Sequence, residues 1–186
     1  MDHHMLSEKI TPAETVGAGM IARSNAHEGM EVSGRYTCEC VRDGKVIWRE
    51  EFDNLVTTVG KNSLLDKFLD LGSAHSAIHM GLKGSGSAAA GDTMASHSGW
   101  TEPSIVAARL VPAFSAASSG SKATSAAVSF SINSGTNTVV AGVFIVMSGT
   151  SAVANTTGTL YSAGDFASTK TVSSGDTLNV TYTASA

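Results

Sequence analysis

Three groups of residues have types and spacings on which chemistry could be built. Asp92, Ser96, His97, Ser98 and Glu102 bring a nucleophile, a base and two acids into one short stretch. A serine hydrolase needs those roles, because an imidazole takes the hydroxyl proton and an acid orients the imidazole. Such sites are assembled from separated segments around a strained nucleophile turn, and this stretch has neither feature. It reads instead as a loop anchored by Trp100, with Asp92 and Thr93 making local backbone hydrogen bonds. Cys38 and Cys40 form the second group. Two apart on a predicted strand, their side chains share one face, and the extended backbone between them makes a mutual disulfide awkward. His75, His79 and His97 stand in no recognised ligand spacing with them, so the pair reads as two buried or half-buried thiols in a reducing cytoplasm. The third group, Gly60-Lys61-Asn62-Ser63, superficially resembles a phosphate loop but lacks the spaced glycine and the preceding buried strand. No catalytic residue, cofactor or metal is assigned, and the chain is not read as an enzyme.

The elements that carry these residues are mostly strands. From Thr124 to Ala186 three apolar runs, Ala126–Ile132, Thr138–Val146 and Thr177–Tyr182, alternate with Gly/Ser/Thr/Asn-rich punctuation. Val128, Phe130 and Ile132 alternate with serines, and Leu178, Val180 and Tyr182 with Asn179 and Thr181, so each run has one apolar face. The middle run is apolar almost throughout, as suits a strand covered on both sides, and Gly142 within it marks a bulge or a close backbone approach. Upstream, Glu31–Arg42 and Lys45–Phe52 flank Asp43-Gly44, a pair suited to a tight hairpin turn, with a charged outer face and Trp48 as a packing anchor. Leu64, Leu65, Phe68, Leu69 and Leu71 form the stripe of one helix near 59–71, capped by Thr57 or Thr58 and followed by Gly72. The helix is expected to close one edge or end of the β layers. Ala77–Leu82 and Ile105–Val111 read as further strands, and Thr159–Phe166 as a short strand and a turn. Lys83–Gly91 and Gly149–Gly158 read as a flexible and an exposed loop. The fold class expected is mainly β, an antiparallel β-sandwich or jelly-roll-like unit over residues 34–186 with one α-helix. Residues 1–33, broken by Pro12 and three glycines, read as an extended N-terminal arm whose scattered apolar anchors are Ile10, Val16, Met20 and Ile21.

Charge limits the partners. The 186 residues carry a net charge of -4, without the clustered basic surface that nucleic acid requires. Residues 84–186 hold only three Lys/Arg and four Asp/Glu, so little like-charge repulsion keeps copies apart. A cell-wall hydrolase would need two placed carboxylates or a metal site, and these four acids are scattered. No apolar run approaches the roughly 20 residues of a membrane span, and the first residues lack a signal-peptide pattern. The expectation is a protein made in the cytoplasm that sits against other protein.

Several segments carry a resemblance. Asn54–Asn62 with Leu64-Leu65-Asp66, His79–Leu82, Gly91–Glu102, Gly158–Phe166 and Gly175–Thr183 are similar to small structural proteins of tailed bacteriophages, over roughly residues 50 to 186. The resemblance implies a virion component, best fitted to a capsid decoration or cement protein. Its partner would be the major capsid protein, and it would be a homo-oligomer, dimer or trimer. The arm residues Ile10, Val16, Met20 and Ile21, together with Trp100 and the loops from Gly84 to Gly99, are the expected interface. The alternative is a tail or fibre receptor-binding module using loops 84–99 and 149–158 against a glycan.

Overall fold

The computed structural model describes residues 31–69 and 74–186. The expected arm is therefore described only from Glu31 to Ser33, and Ile10, Val16, Met20 and Ile21 lie outside the described residues. Two long strands, β1 (Ser33–Arg42) and β2 (Lys45–Val56), come first, then the helix α1 (Thr58–Leu69). The remaining strands are β3 (Ile78–Lys83), β4 (Ser121–Ala123), β5 (Val128–Ser131), β6 (Thr138–Met147), β7 (Thr159–Val172) and β8 (Thr177–Ser185). All pairings are antiparallel, and the sheet order is β3-β6-β7-β2-β1-β8-β4, with β5 also paired to β8. Among the described residues the class is mainly β with one helix, and the strands are joined into one curled sheet.

The curl turns on β2. Its first part pairs β1 along its length, whereas only Asn54, Leu55 and Val56 at its end pair β7. The two arms of the sheet thus meet at the end of β2 and face one another across a core. Tyr36, Cys38 and Cys40 of β1, Phe130 of β5, Val143 and Ile145 of β6, and Leu178, Val180 and Tyr182 of β8 fill it. Aromatic rings make its centre: Tyr36 stacks on Phe52 at 5.2 Å and lies 4.6 Å from Tyr182, while Phe166 meets Phe52 edge-on at 4.8 Å. Trp48 packs edge-on against Phe166, as an anchor should. The Asp43-Gly44 turn has φ of 50° and 73°, the pair of positive values that matches the twist of a tight hairpin. Its outer face carries the expected charges, with Arg35 paired to Glu51 and Asp53, and Arg49 to Glu39 and Glu51.

Gly142 fulfils both readings of it. The β6–β7 register shifts between Val140 and Gly142, and a Cβ at Gly142 would lie 3.0 Å from the Gly164 carbonyl carbon. Other expectations are corrected. The turn expected within Thr159–Phe166 is absent, and β7 runs on to Val172. Gly164 serves packing rather than turning: a Cβ there would meet the rings of Phe52 and Tyr36 at 2.8 and 2.9 Å. Ile105–Val111 forms no strand beyond a single bridge between Leu110 and Met80, because this segment bends to bury Ile105 and Arg109. Of the helix stripe, Leu64 packs on the core, but Leu65 and Leu69 are exposed. The side chain of Phe68, with Leu71 and Gly72, lies outside what the structure describes.

Candidate functional site

Where strand residues of β3, β6 and β7 point away from the main core, the long loops gather over them. Alternation puts His79, Gly81 and Lys83 on that face of β3, opposite Ile78, Met80 and Leu82. Met94, Trp100, Phe144, Val146, Leu160 and Ala163 make a second, smaller core there. Trp100 is only 3% exposed and lies 5.3 Å from Phe144, so the indole is spent on holding the loop rather than offered to a partner. Its Nε1–H donates to Asp92 Oδ2 at 2.9 Å, and that carboxylate also accepts the Ala89 N–H. Thr93 Oγ1 accepts the Ser96 N–H, and His97 stacks on the indole at 4.0 Å. Trp100, Asp92 and Thr93 thus play their expected structural parts.

Two ion pairs, missed in the sequence, lie beneath this layer. Arg109 meets Glu102 through one edge of its guanidinium, Nε to Oε1 at 2.9 Å and Nη2 to Oε2 at 2.6 Å, with side-chain exposures of 0% and 4%. Bidentate geometry of this kind is the strong form of a charge-assisted bond. Arg109 also donates to the carbonyls of Thr150 and Asn155 and sits 5.3 Å from the Phe144 ring. Glu102 Oε2 accepts the Ala154 N–H at 2.7 Å, and Ala154 has a φ of 58°, a left-handed conformation disfavoured for a residue with a Cβ. One buried pair therefore fixes the loop 149–158 from inside. Lys83, buried, reaches Asp165 at 2.8 Å and donates to the Gly86 carbonyl, while Asp165 Oδ2 accepts the Ala88 N–H. The Thr58 N–H adds a bond to Ala90 O. The glycine-serine loop expected to be flexible is fastened at each of these points.

Ser96 and Ser98 are exposed, and Asp92 and Glu102 are engaged with Trp100 and Arg109, so the structure does not bring the 92–102 group together as a hydrolytic site. A different serine–histidine contact exists. His75 lies between Ser63 Oγ, 2.8 Å from Nε2, and Ser148 Oγ, 2.9 Å from Nδ1. Behind the imidazole stands a hydroxyl where a hydrolase uses a carboxylate, and the arrangement joins α1 to the end of β6. Lys61 in the phosphate-loop-like segment is exposed on α1, and Thr57 caps that helix by accepting the Gly60 N–H at 3.1 Å.

Cys38 and Cys40 are both free and buried. Burial raises the Cys38 thiol, and burial followed by the nearby Asp176 charge pushes Cys40 up to about 11. Both stay protonated at neutral pH and make poor nucleophiles or ligands. Among the described residues no three of His, Cys, Asp and Glu lie close enough together to hold a metal ion, and no helix is long and apolar enough to cross a membrane.

Fold and site together describe a β body bearing a layer of internally fastened loops. No family, no curated protein and no solved structure matches the chain.

Proposed function

We propose that this is a bacteriophage capsid decoration protein, which binds the assembled head at capsomer junctions through its loop layer and stabilises the shell. The observation that carries the reading is the fastening of loops 84–101 and 149–158 by the buried Arg109–Glu102 pair and by the buried Lys83 on the half-buried Asp165. A surface ordered before it docks loses less conformational freedom on binding, which suits a protein that must occupy many identical sites. The low charge of residues 84–186 and the resemblance in the sequence point the same way. Its partner is the major capsid protein, and binding the shell but not its free subunits favours the shell by mass action.

The receptor-binding reading has less support. Glycans are held on exposed aromatic faces, and the two aromatics nearest these loops in the sequence, Trp100 and Tyr161, are 3% and 6% exposed. The discriminating experiment mixes the purified protein with undecorated phage heads, pellets the heads and quantifies bound protein per shell. Saturation at a multiple of the icosahedral sites, with improved survival of heated shells, is expected. Absence from heads with retention on tails or host cells would overturn the decoration reading.

A further inference from the structure

The main core is open at one end. There Val32, just before β1, Leu64 of α1, Ile145 and Met147 of β6, Tyr182 of β8 and Phe114 line a cavity of about 380 Å³. The lining is almost wholly apolar; its one cation, Lys122, donates to the Ser115 carbonyl and lies 5.9 Å from the Phe114 ring. A volume of that size accepts several apolar side chains. Strand β3, on one flank, pairs only β6 along its length, and β4, on the other, pairs only β8, so the groove lies where the curled sheet has its two free ends.

The path of the chain says what reaches it. Val32, Gly34, Tyr36, Cys38 and Cys40 all turn inward, so the chain enters β1 with Val32 on the groove wall. The first thirty residues thus join the body at the mouth of its apolar opening. They hold Val16, Met20, Ile21 and Met30. Eleven residue-to-residue steps lead from Ile21 to Val32, and an extended chain of that length spans about 36 Å, more than the roughly 30 Å of a nine-residue strand such as β8. Every part of the groove is within reach. Because the segment is tethered at the mouth, its effective concentration there is about millimolar, far above that of a second copy in dilute solution.

We propose that residues 16–30 of this chain dock in the groove of their own body, with Met30, Ile21, Met20 and Val16 covering the open end of the core. This assignment is independent of the capsid reading: it concerns a contact within one chain and holds or fails without any shell.

The test uses the full chain. Met20→Cys is combined with Ala117→Cys at the exposed rim of the groove, or with Ser85→Cys in the remote loop as control, and treated with a short bismaleimide. The native thiols, both buried, stay silent. Links within one chain are expected for the 20/117 pair at about ten-fold the control yield. Mixing heavy-isotope-labelled with unlabelled protein separates links within a chain from links between chains. In parallel, Met20→Asp with Ile21→Asp is expected to raise binding of the apolar dye ANS about two-fold. A yield equal to the control, a predominance of heavy–light links, which would assign the groove to a second copy, or dye binding unchanged by the aspartates would each overturn the proposal.

Discussion

Removing the Arg109 guanidinium would leave Glu102 buried without a counter-charge and free the carbonyls of Thr150 and Asn155. Breaking one side of a buried pair costs about 3–5 kcal/mol, so Arg109→Met should lower the urea midpoint strongly and speed hydrogen exchange at the Ala154 amide. Arg109→Lys should recover little, because an ammonium cannot make the planar two-pronged contact. At Gly34 a Cβ would lie 2.6 Å from the Tyr182 ring, itself wedged against Tyr36. Gly34→Ala therefore overpacks the core, with an expected loss of about 1–3 kcal/mol in denaturant unfolding. The two thiols, raised by burial, should ignore a thiol reagent at pH 8 in the folded protein and react fully once it is unfolded.

At the scale of elements, Thr57 is the joint between the sheet and the helix. Its hydroxyl caps α1 at the Gly60 N–H and donates to the Leu160 carbonyl, while its own N–H donates to Tyr161 O. Thr57→Val keeps the shape but loses the hydroxyl, and a loss of about 2 kcal/mol is expected in thermal or urea unfolding. Hydrogen exchange should place the effect in the first turn of α1 and not in the β1–β2 hairpin. The hairpin was plain in the sequence because its turn chemistry and its alternation are local. The Ile105–Val111 segment was not, since its apolar run suits a strand while its actual course is set by where Arg109 finds Glu102.

Across the whole molecule, Arg42 at the end of β1 holds Asp176 at the start of the β8 hairpin end through bonds of 2.6 and 2.7 Å. The Arg42 contact keeps the Asp176 carboxyl below its usual range, aided by the Ser173 N–H and opposed by burial. A folded value below the unfolded one means that the unfolded chain takes up the proton first. The stabilisation is thus complete above the ordinary carboxylate range and is lost as pH falls through the lowered value. The melting temperature of Asp176→Asn should lie below that of the parent by a constant gap between about pH 6 and 8, and the gap should close below about pH 4. What the sequence determined by itself was local: the alternating strands, the Asp43-Gly44 turn and the capped helix all follow from neighbours along the chain. Only the tertiary structure decided the rest. Lys83 and Asp165, or Glu102 and Arg109, are ordinary surface residue types whose pairing depends on which distant loops fold over them. The same holds for the open end of the core, which exists because a curled sheet leaves two ends unpaired and no single strand records where they come to lie.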